Sequence, residues 1–425
     1  MRTYRLETLG CKSNLYDSRR LAESLEALGF EEAGPEGQPD VCVVNTCTVT
    51  TGAERKSRQQ ASRFARDYPG ARVYVTGCGA SAFPDDLRDV PGVDGVFGRD
   101  QWPELLEAIN ETSVPPEAVP AGDFGIASFG GRTRAFLKVQ EGCDAGCAYC
   151  ILPRVRGEPR SRAPDDAAAE ARRLVDAGFR EIVLTGIHLG YYGRDQDGAT
   201  LPGLVCRLAE TAGLLRLRLS SIEPLEVDGD LLDAMRHPVV CPHLHLPLQS
   251  GDAGVLRRMG RPYTPRQFLE VVEMARRLLE RPAITTDVMV GFPGETDAAF
   301  ENTMQFVERA AFTRLHVFPF SPRPGTPAAD MDWRADSKLV RERSRRLRKL
   351  GRELAAEWAT SFVGQEVRVL FERCEDGELV GYTDRYVRLS AEGLAEMVNR
   401  LARARCTDAC GRQLRGQVIR EADAR

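Results

Sequence analysis

The chain of 425 residues lacks the features that would carry it into a membrane or out of the cell. No window approaches the roughly 18 uninterrupted apolar residues of a spanning helix, and the N-terminal MRTYRLETLG has no apolar signal core. Neither membrane insertion nor export is expected. An excess of one charge sign is missing too. Against 58 Lys and Arg stand 62 Asp and Glu, a formal net charge of −4, so the molecule as a whole carries no nucleic-acid footprint. Histidine is scarce, with five in all. Cysteine is not. Twelve cysteines without an export signal argue for a reducing, cytoplasmic setting, where thiols serve metals or catalysis instead of disulfides. A hydrophobic content of 42% and a charged content of 28% are those of ordinary globular chains, and the length allows two or three domains.

Three of the cysteines fall within eight residues, Cys143-Asp144-Ala145-Gly146-Cys147-Ala148-Tyr149-Cys150, spaced C-x3-C-x2-C after an apolar, strand-like run at 135–140. Such a loop can close round one face of an iron–sulfur cube, whose usual complement is four cysteines. A missing fourth ligand leaves one iron open to a small molecule, as an open position marks a catalytic zinc site. A zinc loop and three packed thiols are the alternatives. Zinc would want a fourth ligand nearby, and the first later candidate is His188.

In residues 1–112 an apolar run ends in a cysteine three times: 4–10 leads to Cys11, 41–46 to Cys47 and 73–77 to Cys78. Helical patterns at 18–29 and 54–67 follow the first two, and strands alternating with helices predict a parallel sheet. Ligands of open α/β sheets collect at the edge formed by the strand C-termini, so Cys11, Cys47 and Cys78 are expected to converge there. Three convergent thiolates could again hold a cluster with one open iron; the alternative is that cysteine suits strand ends in a packed core. Cys42 lies inside its strand and reads as core. Residues 113–131, with Pro115, Pro116, Pro120 and several glycines, read as a linker.

Beyond it, over 132–360, five more strand-like runs (181–184, 215–219, 243–248, 284–290, 313–318) alternate with helical patterns, which predicts an incomplete (β/α)6 barrel with its chemistry on the loops after the strands. Those loops hold Thr185-Gly186, Ser220-Ser221, Gln249-Ser250 and Gly291-Phe292-Pro293-Gly294-Glu295, small residues that let backbone approach a ligand closely. His243 and His245 share one side of their strand, as a polar lining or hydrogen-bonded core, with metal binding as the alternative. Arg154, Arg156, Arg160 and Arg162 form a basic stretch suited to a phosphate or sulfonium neighbour, or simply to solvent. Cys206 and Cys241 read as structural. A helix over 336–360 leads into short strands in 361–425, expected to close a small OB-like barrel of the kind RNA binders use; Cys406 and Cys410 read as structural there. Residues 341–425 carry +4 and the rest −8, the excess beginning at 341–349.

The C-x3-C-x2-C loop after a first strand resembles the signature of the radical S-adenosylmethionine (SAM) enzymes. TLGCKSN, NTCTVT and TGCGA resemble the N-terminal domain of their methylthiotransferase branch, and the tail resembles the TRAM domain, an RNA-binding module. The resemblance implies a flavodoxin-like open parallel sheet, a partial radical-SAM barrel and a small all-β barrel. It implies two 4Fe–4S clusters, on Cys143, Cys147 and Cys150 and on Cys11, Cys47 and Cys78, with SAM near Tyr149, Thr185, Gly186, Ser221, Gln249, Ser250, Gly291 and Pro293. The first cluster would pass an electron to SAM, releasing methionine and a 5′-deoxyadenosyl radical; the second would hold or supply sulfur. LTGIHLGYYG (184–193) and NTCTVTTGAERKSRQ (45–59) resemble the group acting on N6-threonylcarbamoyladenosine in tRNA. The isopentenyladenosine group usually reads Gly-Gln-Asn-Val after its second strand, and the group acting on a ribosomal-protein aspartate has Pro where this chain has Lys12. Two departures stand out: Gly79-Ala80-Ser81, where Ala-Gln follows a bulkier residue, and Arg154-Val155-Arg156-Gly157 for Trp-Ala-Arg-Gly. Implied partners are a tRNA anticodon arm, with phosphate contacts at 341–349, and an electron donor such as flavodoxin or ferredoxin; a monomer or weak dimer is expected. An iron–sulfur RNA-binding protein without catalysis is the reading from another class.

Overall fold

Five parallel strands open the chain: β1 (Arg2–Thr8), β2 (Phe30–Glu32), β3 (Val41–Thr46), β4 (Arg72–Gly77) and β5 (Gly95–Val96), in the order β2-β1-β3-β4-β5. That is the flavodoxin-like order. The structure, a computed structural model, describes residues 2–112, 114–115, 124–126, 133–332 and 335–421. β3 is buried along its whole length and β4 along all but its first residue, which is why both read as near-continuous apolar runs. β2 and β5, three and two residues long, are too short to leave a pattern in the sequence. Most of the linker expected over 113–131 lies outside the described residues. Its described part is anchored: Gly125 N donates to Tyr16 Oη (2.7 Å) and Ile126 N to Glu170 (3.0 Å).

The central unit contains β6 (Arg134–Glu141), β7 (Arg160–Ser161), β8 (Glu181–Gly186), β9 (Arg216–Leu219), β10 (His243–His245), β11 (Ala283–Val290) and β12 (Arg314–Pro319). β6-β8-β9 and β10-β11-β12 are parallel sheets joined by the single bridges Leu217–Val240 and Ser221–His245, which gives the six-stranded arc expected. β7, a two-residue strand antiparallel to β6, was not expected. Leu137, Leu184, Leu219, Leu244, Leu246, Ile284, Val288 and Val290 are buried in one continuous core. Strand alternation therefore turns the intervening residues, Lys138, Thr185, Arg218, His243, His245, Thr285 and Asp287 among them, into the lumen.

The C-terminal strands β13 (Glu366–Glu375), β14 (Glu378–Thr383), β15 (Arg388–Glu392), β16 (Leu401–Cys410) and β17 (Gln413–Glu421) close a barrel in the order β13-β14-β15-β17-β16. β16 escaped the sequence reading because its inward residues are small, Ala402, Ala404 and Cys406. This barrel docks at the N-terminal ends of the central strands: Arg216 and Arg218 donate to the carbonyls of Tyr382 and Asp384 (2.8 Å each), and Arg134 pairs with Glu372 (2.6 Å). The helix Ser337–Thr360 carries the basic run, and much of that run is engaged internally. Arg343 is buried on Glu295 and Asp297, Arg346 pairs with Glu301, Lys349 with Glu353, and Arg348 donates to the Val317 carbonyl (3.0 Å), while Arg341, Arg345, Arg348 and Lys349 are exposed. Among the described residues no helix is long and apolar enough to cross a membrane.

Candidate active site

β1, β3 and β4 are adjacent and end in register, with Thr8 opposite Asn45 and Thr46 opposite Gly77, so the three following cysteines leave the sheet side by side. Cys11 occupies the N-cap of helix Lys12–Ala27 without capping it, which leaves its thiol free. Asn14 fastens the strand ends together, donating to the carbonyls of Leu9 and Thr46 (2.9 Å each). Gly10 has φ 107°, and a Cβ there would lie 2.7 Å from the Cys47 Cβ and 2.8 Å from its sulfur, so only glycine allows this approach. The three thiols lie close enough to act on one another electrostatically. Burial pushes Cys47 up to about 11 and raises Cys78 as well.

Arg156 reaches Cys78 from the central unit, Nε to Sγ 3.2 Å. The same guanidinium contacts Asp17 (2.9 Å), Glu141 (3.1 Å) and Asn14. Lys138 joins Asp17 (2.6 Å) and Glu141 (2.8 Å), and Arg99 adds a third cation. Three buried cations thus meet two carboxylates, and the surplus positive charge lies beside a thiol. That suits a ligand set that becomes anionic when it binds metal. The basic stretch 154–162 is accordingly not one surface patch. Arg156 is fully buried and Arg162 is buried on Glu170 (2.8 Å), while Arg154 and Arg160 are exposed.

The second trio opens on a cavity of about 290 Å³ at the C-terminal ends of the central strands. Cys143, Cys147, Tyr149 and Cys150 line it, with Ser221, Gln249, Met289 and Phe318, and the N-terminal unit contributes Val49 and Thr50. Thr51, the first residue of helix Thr51–Asp67, is held to the central unit by Ser321 Oγ (2.9 Å to its N–H). Arg261 lies 3.2 Å from the Cys147 sulfur and is ion-paired with Glu223. Burial pushes Cys150 up to about 12. His188, the candidate zinc ligand, engages both ring nitrogens, Nδ1 on Cys143 Sγ (3.3 Å) and Nε2 on Glu226 (2.6 Å). Burial works against its charge, yet those two bonds raise it to about 9. Both trios therefore offer three thiols with a cation at one sulfur, Arg156 at Cys78 and Arg261 at Cys147. Such a donor set fits a cube with one open iron better than tetrahedral zinc.

Of the other expected ligand residues, Tyr149, Ser221 and Gln249 line the cavity. Gln249 adopts φ 62°, rare for a side-chain-bearing residue, and its buried Oε1 has no protein partner, as an amide awaiting a ligand would. Thr185, Gly186, Ser250, Gly291 and Pro293 do not line it. Gly186 packs on Gln140, the Ser250 hydroxyl lies 3.2 Å from that of Thr303, a Cβ on Gly291 would meet Val340 at 2.6 Å, and the Pro293 carbonyl accepts from Arg258. Sequence reasoning missed Glu223 and Arg261. The first stands in Ser-Ser-Ile-Glu-Pro at a strand end; the second belongs to no motif and is found only by its burial.

Known proteins bear on this arrangement. Residues 137–307 match the radical SAM superfamily, and residues 3–98 match an uncharacterized protein family, UPF0004. The chain is 38% identical to "Threonylcarbamoyladenosine tRNA methylthiotransferase MtaB" of Bacillus subtilis, over 99% of this chain and 97% of that protein. It is also 38% identical to the protein of the same name from Thermotoga maritima, over 91% of each. A "tRNA-2-methylthio-N(6)-dimethylallyladenosine synthase" of Corynebacterium efficiens is 35% identical over 90% of this chain and 80% of its own length. Among solved structures, the radical SAM methyltransferase TsrM of Kitasatospora setae, with cobalamin and a [4Fe-4S] cluster bound, superposes with a TM-score of 0.57 at 18% identity, covering 77% of this chain and 74% of that one. That likeness supports the fold.

Proposed function

Because the chain belongs to the radical-SAM tRNA methylthiotransferases, we propose that it adds a methylthio group to carbon 2 of N6-threonylcarbamoyladenosine beside the tRNA anticodon. The observation that carries this reading is the cavity shared by two units, with Cys143, Cys147 and Cys150 in one wall and, in the other, the Val49-Thr50 segment that follows Cys47. Residues Cys143, Cys147 and Cys150 would hold the 4Fe–4S cluster that takes SAM, and Cys11, Cys47 and Cys78 a second. Adenine carbon 2 has no acidic proton, so acid–base chemistry cannot functionalise it; the bound cluster and SAM supply a one-electron route. The protein's own part is positional. Arg261 and His188 contact two of the thiols, Gln249, Ser221 and Tyr149 would orient SAM, and the segment Val49-Thr50 of the first unit would help to keep water from it. The threonylcarbamoyl choice is supported by the two relatives of that name, which match over 91–97% of their own lengths.

The tRNA would lie along helix Thr51–Asp67. Its exposed Arg55, Lys56, Arg58, Arg63 and Arg66 contrast with residues 1–112 as a whole, where 13 Lys and Arg face 18 Asp and Glu. Arg63 and Arg66 pair with Asp67, leaving Arg55, Lys56 and Arg58 nearer the cavity for phosphates. The TRAM-like barrel would add contacts, and a cytoplasmic site of action follows from the substrate. The test is mass spectrometry of tRNA nucleosides from cells with and without the gene. Loss of the 2-methylthio derivative of threonylcarbamoyladenosine is expected; loss of the isopentenyl derivative instead would reassign the substrate.

A further inference from the structure

A barrel interior that needs only filling takes branched apolar side chains. Here three adjacent strands present polar ones. His245 on β10, Asp287 on β11 and His316 on β12 share the lumen face, with Asp287 directly opposite His316 and His245 opposite Thr285. His245 Nε2 lies 3.3 Å from Asp287 Oδ2, and His316 Nδ1 lies 3.2 Å from Oδ1. Thr285 Oγ1, 2.9 Å from His245 Nδ1, fixes that ring from behind. The row meets the cavity at Asp287, and Pro247, Met289 and Phe318, each two residues further along the same strand faces, line the cavity above. The row is also reachable, the His316 side chain being half exposed and that of Asp287 a quarter exposed. Behind the row, buried His243 lies within the electrostatic reach of Arg218, Lys12 and Arg314, and Arg218 is itself paired with Glu181 (2.7 Å).

We propose that Asp287 and His316, with His245 positioning Asp287, recognise the N6 substituent of the adenosine, admitting a polar, carboxylate-bearing acyl group and rejecting a hydrocarbon one. This rests on the threonylcarbamoyladenosine reading above. The chemistry is complementary: His316, whose Nδ1 is on Asp287, keeps Nε2 to donate to the substituent's carboxylate, while Asp287, held by His245, accepts from its ureido N–H or hydroxyl. An isopentenyl group would cover Asp287 and His316 and offer them no partner. Sites built to hydrogen-bond a substrate discriminate strongly against analogues that lack the group. Asp287 and His316 are specificity residues and His245 positions Asp287; the chemistry at carbon 2 lies elsewhere in the cavity.

The experiment uses the full chain reconstituted with iron and sulfide. Anticodon stem-loops carry threonylcarbamoyladenosine or isopentenyladenosine at the same position, and the ratio of the two kcat/KM values is the readout. The wild type is expected to prefer the former by about 100-fold or more. His316→Leu and Asp287→Asn should each lower that ratio about tenfold or more, mainly through KM for the threonylcarbamoyl hairpin, and His316→Gln, which keeps a donor, should restore most of it. Ratios within about twofold of wild type in both variants, with the wild type discriminating, would overturn the role of the row alone. A wild type that prefers the isopentenyl hairpin would overturn the substrate reading and the role of the row with it. One zinc per chain that disappears in His316→Leu would mark the row as a metal site and also overturn the proposal.

Discussion

Glu141→Gln measures what the charge network between the first two units contributes. The amide keeps the size of the carboxyl, so no cavity opens, but Arg156, Lys138 and Arg99 are left facing Asp17 alone. All four partners are buried, and removing one member of a buried ion pair costs about 3–5 kcal/mol. Linkage gives a second route to the figure. Burial opposes the charge on Glu141, yet Arg156, Lys138 and Arg99 draw the carboxyl down to about 2 from an ordinary 4.5. That difference amounts to about 3 kcal/mol at neutral pH. At roughly 2–3 °C per kcal/mol for a unit of this size, the melting midpoint should fall by about 6–9 °C. The sign of the pH dependence follows. A carboxylate depressed in the folded state contributes stability that is complete above its unfolded value and is lost as pH falls through about 2. Thermal unfolding by circular dichroism of the full-length wild type and variant should therefore show a constant gap at neutral and mildly acidic pH. The gap should narrow as pH falls below about 4.5. A gap under about 2 °C at neutral pH, or one that persists undiminished at strongly acidic pH, would refute the reasoning.

Two further outcomes test the cofactor and tRNA readings. Anaerobic reconstitution should yield about eight iron and eight sulfide per chain and about four of each in the Cys11→Ala/Cys47→Ala/Cys78→Ala variant, while Cys147→Ala should abolish 5′-deoxyadenosine formation; a wild-type count near four would remove the second cluster. Arg55→Glu with Arg58→Glu should weaken tRNA binding and reduce the slope of log affinity against log salt by about 2, as measured by filter binding across salt concentrations; an unchanged slope would take helix Thr51–Asp67 out of the interface.

Local pattern alone was enough for the repeated elements. Strand–helix alternation with cysteine at the strand ends placed Cys11, Cys47 and Cys78 on one sheet edge, because parallel strands share a C-terminal edge whatever the rest of the chain does. The alternation of His243 and His245 with leucines put both rings on one strand face, since side chains repeat every two residues. Short elements without periodicity, β2, β5 and β7, were illegible, as was β16 with its small inward residues. Only the tertiary structure decided the partners of charge. Arg154, Arg156, Arg160 and Arg162 look alike as letters, yet Arg156 is buried against Cys78 and two carboxylates from distant segments while Arg154 and Arg160 face solvent. Arg261 on Cys147, and Asp287 between two histidines, are likewise products of packing. The physical reason is range: backbone geometry is fixed by neighbours along the chain, whereas the environment of a charge is set by whatever the fold brings beside it.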